Sequence, residues 1–350
     1  MKRGRRTFAA LLACALLLLA VLAWPSGRRH WRAASLLTRL RSGEAPDVAT
    51  SELRLASLRK ARRYASDQEG ALVVLVHGVH PDGIDEPRFV RFARALASAG
   101  LVVVTPELPA LAGAQLDPEA SIVLANACDE IARDERRRSL GVVGISFGGG
   151  LALIAAARTE VIGAVLAIGA HHDAAALARG WVSAAGSRER YGMQVLAHAY
   201  AADYFQGVPD PEGAQAVLAS LLREETPRAD ALSPEARARI DPLRHGHDLS
   251  PAAPRLGAII DAHAGDLAAL SPAGRVSGLD VPVFLLHGQG DPLIASRESR
   301  RIHGELPERA RGGLLLTPLI GHADQRDVSL LEQLEVVRFM AGVLHALEQL

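Results

Sequence analysis

Apolar positions along the chain fall into short solid runs, and stretches with a helical period separate them. The runs occupy 71–76, 101–105, 141–145, 161–168, 281–286 and 313–317. Runs of this length without alternation suit strands buried on both faces. Amphipathic stretches at 86–98, 118–136 and 149–158 separate the first four runs, and two more, at 296–306 and 330–350, follow the last two. Alternation at this spacing predicts an α/β fold: right-handed crossovers and a mostly parallel sheet flanked by helices. Two further short strands are expected in a polar, Arg-rich lead-in, near 52–57 and 63–65.

One segment breaks the rhythm. Residues 174–277 hold no strand pattern, only helical segments such as 194–205 and 211–225, punctuated by Ser233-Pro234, Asp241-Pro242 and Ser250-Pro251. They read as a helical insertion lying on the sheet. The expected organisation is an N-terminal segment (1–32), the lead-in (33–70), a first core part (71–173), the cap insertion (174–277) and a second core part (278–350).

The N-terminal segment has its own logic. Lys2, Arg3, Arg5 and Arg6 precede an uncharged run at 8–24, and Arg28 and Arg29 follow it. A basic start and a long apolar run form a membrane-insertion or secretory signal. As a helix the run spans about 25 Å, close to the hydrocarbon thickness of a bilayer. The expectation is a transmembrane anchor through 8–24, its basic end inside, with the rest of the chain outside the cytoplasm. Secretion after cleavage near Val21-Leu22-Ala23 is the alternative.

Composition narrows the class. The 350 residues are 49% hydrophobic and carry 39 basic against 39 acidic groups, a formal net charge of zero. That balance argues against nucleic acid as a partner, because phosphate backbones select strongly basic faces. The two cysteines, Cys14 and Cys128, cannot build a zinc knot.

The chemistry collects at the predicted strand ends, where open parallel sheets place their ligands. Gly144-Ile145-Ser146-Phe147-Gly148 follows the run at 141–145, with Gly149 and Gly150 behind it. Small residues on both sides let a strand turn sharply into a helix and lift the Ser146 hydroxyl above the sheet. A serine needs a base to become a nucleophile. His322, in Gly321-His322 after the last run, is placed for it. A carboxylate must hold the imidazole, and Asp291, in Gly290-Asp291-Pro292, is the candidate; Asp173 and Asp324 are its rivals. Ser, Asp, His is also the chain order this architecture uses. The oxyanion formed on attack requires N–H donors. Phe147 N–H supplies one, and Val79 N–H, in His77-Gly78-Val79-His80, supplies the second, with His80 in reserve. The His77 side chain reads as structural.

With HGVH at 77–80, GISFGG at 144–149, HGQGDP at 287–292 and GH at 321–322, the chain resembles the α/β-hydrolase superfamily over about 71–173 and 278–350. The resemblance implies an eight-stranded sheet with the insertion as its cap. It implies a serine hydrolase of a carboxylic ester or thioester that works through an acyl-enzyme, with no cofactor and no metal. The chain lacks the HGGG loop of the hormone-sensitive-lipase-like branch. An acyltransferase with the same triad, or a catalytically idle membrane-tethered scaffold, are the alternatives. His80, His171, His172, Trp181, Tyr200 and Tyr204 are the expected pocket residues; Tyr191 and Phe205 belong to the same aromatic group of the cap. His171, His172, His245 and His247 match no known metal-ligand spacing.

Overall fold

The computed structural model describes residues 27–43, 46–66, 70–184, 190–226, 231–245, 248–320 and 329–350. Eight strands form one sheet: β1 (Ala49–Leu53), β2 (Ala61–Ala65), β3 (Leu72–Val76), β4 (Val102–Pro106), β5 (Leu140–Ile145), β6 (Ile162–Ile168), β7 (Val283–Gly288) and β8 (Arg311–Thr317). Their order is β1-β2-β4-β3-β5-β6-β7-β8. The first two pairings, β1 with β2 and β2 with β4, are antiparallel, and all those from β4 to β8 are parallel. The expected β/α alternation is present. The lead-in strands lie a few residues earlier than the sequence pattern placed them. β1 is an edge strand with four of its five residues exposed, so burial left no pattern there to read.

Each central strand feeds two cores. On β3, Leu72, Val74 and Val76 join one apolar cluster, while Val73 and Leu75 join the other. That is the period-two alternation of a strand with both faces covered. Helices α4 (Ala120–Asp134) and α5 (Phe147–Ala156) cover the first face, preceded in the chain by α1 (27–42), α2 (Pro87–Ser98) and the short α3 (Pro109–Ala112). Ala33 and Leu36 of α1, Phe89 and Leu96 of α2, and Val343 and Leu344 near the C-terminus pack on the second face.

Helix α1 was not expected in the polar lead-in. It buries only Ala33 and Leu36 deeply, and its outer face is Arg-rich. Arg29 and Arg32 pair with Glu348. The apolar run at 8–24 lies outside the described residues, and among those described no helix is long and apolar enough to cross a membrane.

Between β6 and β7 the described residues form the helices α6 (Ala174–Ala184), α7 (Arg190–Ala199), α8 (Ala201–Tyr204), α9 (Pro211–Leu222), α10 (Pro234–His245), α11 (Ala253–Ala262) and α12 (Ala264–Ala269). Two of these, α7 and α8, divide the segment expected at 194–205. After β7 come α13 (Arg297–Glu305) and, beyond β8, α14 (Leu330–Glu348). A capping box closes the start of α14: the Ser329 hydroxyl accepts from Glu332 N–H, and the Glu332 carboxylate accepts from Ser329 N–H.

Candidate active site

Ser146 stands between the central strand β5 and helix α5 with φ +55° and ψ −126°. An L-residue rarely adopts that conformation. Two glycines make it feasible. A Cβ on Gly144 would lie 2.5 Å from Gly148 O, and one on Gly148 would lie 2.2 Å from His77 O. The turn is therefore tight enough to press backbone against backbone, and side chains there would force it open. Ser146 N–H donates to Ile168 O at 2.7 Å, which ties the turn to β6. Phe147 is the first residue of α5, so its N–H has no acceptor within its own helix.

The loop after β3 runs alongside. A Cβ on Gly78 would sit 3.1 Å from Ser146 Cβ and 3.7 Å from its Oγ. The His77 ring is buried beneath this loop. Its Nε2 accepts from Leu108 N–H at 3.1 Å, so the ring proton is on Nδ1, which donates to Gly78 O at 2.8 Å. Burial holds the His77 pKa below the ordinary histidine value, and the neutral tautomer persists. His77 is structural, and it fixes the peptide plane that carries Val79 N–H.

Asp291 lies in the turn after β7. Its Oδ1 accepts from Leu293 N–H (2.9 Å) and Ile294 N–H (3.0 Å). Its Oδ2 is 3.8 Å from His287 Nε2. The buried His287 ring holds this turn, with Nε2 donating to Ile294 O and Nδ1 accepting from Ser299 Oγ, both at 2.7 Å. The rival Asp173 is occupied elsewhere, accepting from Ala176 N–H in the first turn of α6. The strand that leads to His322 closes on the same region: a Cβ on Gly288 would lie 1.9 Å from Ile320 O. His322 itself, like Asp324, lies outside the described residues.

One cavity of about 710 Å³ joins these groups. Gly78, Val79, His80, Ser146, Phe147 and Asp291 line it, and so does Ile320, two residues before His322. Its remaining walls are mostly apolar, with Phe89 and Phe92 from α2, Val195 from α7, and Leu293 and Ile294 beside Asp291. Glu86 and Arg88 add a charged pair, 2.7 Å apart. Burial pushes the Glu86 pKa up, but Arg88 and the Phe89 N–H outweigh it, and the net shift is downward.

Of the expected pocket residues, the structure brings His80 and Trp181 to this cavity, and also Tyr191. Tyr200, Tyr204, His171 and His172 are placed elsewhere, which corrects the expectation for them. Tyr204 donates to Arg239 O within the cap, and the Tyr200 ring stacks on His263. His171 is fully buried, stacked on Phe147 with ring centres 4.4 Å apart and its Nε2 2.9 Å from Leu270 O. His172 Nε2 meets Glu305 Oε2 at 2.7 Å. Both histidines join the sheet to elements around it and leave the cavity to other side chains. The wall from α2 was not anticipated; its signal is Phe89 and Phe92, three apart on one helix face. Burial raises the Cys128 thiol pKa far above its usual range, so it takes no part in the chemistry. Among the described residues no cluster of His, Cys, Asp and Glu could hold a metal ion.

The uncomplexed acylaminoacyl peptidase of Pyrococcus horikoshii is similar at 15% identity over 86% of this chain, with a TM-score of 0.49. The chain spans only 41% of that peptidase's length. The 2-hydroxy-6-oxo-6-phenylhexa-2,4-dienoate hydrolase of Rhodococcus sp. strain RHA1 is 17% identical over 79% of this chain and 93% of its own, with a TM-score of 0.45. No curated protein matches the sequence. The model of the alpha/beta hydrolase family matches residues 73–335. That match runs from the strand before the Val79 loop to the C-terminal helix, taking in Ser146 and Asp291, and the chain belongs to the alpha/beta hydrolase family.

Proposed function

We propose that this hydrolase cleaves a carboxylic ester or thioester, with Ser146 as nucleophile, His322 as base and Asp291 as the carboxylate that orients it. The observation that carries the reading is Ser146 on its strained turn, in one cavity with Asp291 and the Val79 loop. Ser146 Oγ attacks the carbonyl carbon while His322 takes its proton. The oxyanion of the tetrahedral intermediate accepts from Phe147 N–H and Val79 N–H. The C–O or C–S bond breaks, and the leaving alkoxide or thiolate takes the proton from His322. Water, deprotonated by His322, then attacks the acyl-enzyme and releases the carboxylic acid with Ser146 restored. Asp291 suits the orienting role because two backbone N–H groups fix Oδ1 and leave Oδ2 without a backbone donor. The apolar walls favour an apolar acyl or aromatic group.

The place of work is part of the proposal: an anchor through residues 8–24, with the catalytic part outside the cytoplasm. Two observations support it. Trp31, in the second turn of α1, is 75% exposed, and arginines 28, 29 and 32 surround it, the combination that favours a bilayer interface. Arg32 Nε also donates to Ala99 O just before β4, so α1 starts at the amino end of the sheet, opposite the cavity. In this reading the cavity lies roughly the 24 Å length of α1 from the bilayer.

A fluorophosphonate probe tests the chemistry on the full chain in detergent. Wild type should label covalently and Ser146→Ala should not; an ester and thioester chain-length panel then maps the acyl site. A folded wild type that resists the probe refutes the reading and favours the idle scaffold. For the anchor, alkaline carbonate extraction of membranes should leave the protein in the pellet, and release into the supernatant rejects it.

A further inference from the structure

The loop that offers the second oxyanion donor is held from two sides. Each peptide plane carries its carbonyl and its N–H in opposite directions, so a donor that grips the carbonyl aims the N–H the other way. His77 Nδ1 donates to Gly78 O. Tyr191 Oη, from the cap, donates to Val79 O at 2.9 Å. The next carbonyl, His80 O, accepts from Gly83 N–H within the loop. Val79 O is thus the carbonyl of the three whose donor comes from the cap.

We propose that Tyr191 is a positioning residue for the oxyanion site: its hydroxyl fixes the peptide after Val79, and with His77 it sets the direction of the Val79 and His80 N–H groups. The proposal rests on the serine-hydrolase reading above. The phenol suits the task. Burial, with Glu224 adding to it, pushes its pKa up to about 12, so it remains a neutral donor across the working range. The ring packs against the apolar cluster of Ala114, Val195 and Leu222. A Cβ on Gly192 would lie 2.3 Å from the Trp181 ring, so α7 approaches α6 closely just beyond Tyr191. Trp181 in turn donates from Nε1 to Leu293 O at 2.8 Å, in the turn that carries Asp291. The cap therefore grips both loops, through Tyr191 on one and Trp181 on the other. Tyr191 touches no reacting atom in this scheme; it acts through the Val79–His80 peptide, which carries the His80 N–H and adjoins the one that carries the Val79 N–H.

Tyr191→Phe keeps the ring and removes only the donor. Deleting a whole oxyanion donor costs on the order of 10²–10³ in kcat; loosening one should cost about tenfold, with KM changed less than about twofold. A trifluoromethyl ketone, which forms the tetrahedral adduct, should bind weaker by the same factor. The product carboxylate should bind as before. Tyr200→Phe, in the same cap but stacked on His263 away from the cavity, should match wild type. The proposal is overturned if Tyr191→Phe leaves kcat unchanged or moves KM alone. It is also overturned if the thermal midpoint falls and kcat recovers at lower temperature, which would mark a structural role. A wild type inert to the fluorophosphonate defeats the function and this proposal together; an active wild type with an unaffected Tyr191→Phe defeats only this one.

Discussion

If the Ser146 turn is strained in order to present a nucleophile, removing the side chain should make the protein more stable as it makes it inactive. Ser146 sits at φ +55°, ψ −126°, and such a conformation costs a non-glycine residue about 1–3 kcal/mol. Ser146→Gly releases that cost but loses about 0.5–1 kcal/mol through the extra freedom of glycine in the unfolded chain. The net gain is about 1 kcal/mol. Ser146→Ala keeps the Cβ, and with it the strain, so its stability should equal wild type. Both variants lose the Oγ and should fail to label with the fluorophosphonate. Guanidinium denaturation separates them: the glycine variant's midpoint should rise with an unchanged slope, while the alanine variant's stays put. A thermal midpoint about 1–3 °C higher should accompany it. The reasoning is refuted if the glycine variant is no more stable than the alanine variant, because the turn would then hold no strain for glycine to release.

Other predictions follow from the same contacts. Asp291→Asn keeps an oxygen for Leu293 N–H and Ile294 N–H, so denaturation should be nearly unchanged while kcat falls about 10³–10⁴-fold; a loss under tenfold would assign the orienting acid elsewhere. Gly148→Ala drives a Cβ to 2.2 Å from His77 O, backbone that cannot step aside, and should destabilise by about 3 kcal/mol in urea. Burial lowers the pKa of His77 and His171. Each therefore leaves stability intact above the ordinary value of 6.5 and removes it as pH falls toward the folded value. Urea midpoints should drop from pH 7 to pH 5.5, by up to about 1.4 kcal/mol per pH unit for each ring. His263, raised by Asp203 and Asp266, works in the opposite sense, stabilising at low pH and losing that contribution as pH rises through its folded value.

What a sequence reveals here depends on how local the physics is. The β3, β5 and β6 strands were legible because both of their faces are buried, which writes solid apolar runs. The Ser146 turn was legible because its requirements lie within five residues. Edge strand β1 and helix α1 were read poorly because they bury little: four of the five β1 side chains are exposed, and α1 commits mainly Ala33 and Leu36 to the core. The cap aromatics show a different limit. Their composition marks them as buried, but Trp181 and Tyr191 reach the cavity while Tyr200 and Tyr204 pack inside the cap. Only the arrangement of α6, α7 and α11 separates them.

His171 carries that limit furthest. A histidine just past a strand end is where a pocket residue is expected, yet this ring is fully buried against Phe147. The reason lies in Gly150, twenty-one residues earlier. A Cβ there would come within 2.2 Å of the ring's Cε1 and 2.7 Å of Nδ1. The glycines after Ser146 thus serve two packings. Gly148 lets the β5–α5 turn meet the Val79 loop, and Gly150 leaves the slot into which His171 folds, stacked on Phe147, the residue proposed to offer an oxyanion donor. A larger residue at 150 should push that ring, and Phe147 with it, out of register. The glycine run is therefore a condition on where Phe147 sits as much as on the turn, and the contact of Gly150 with His171 shows it.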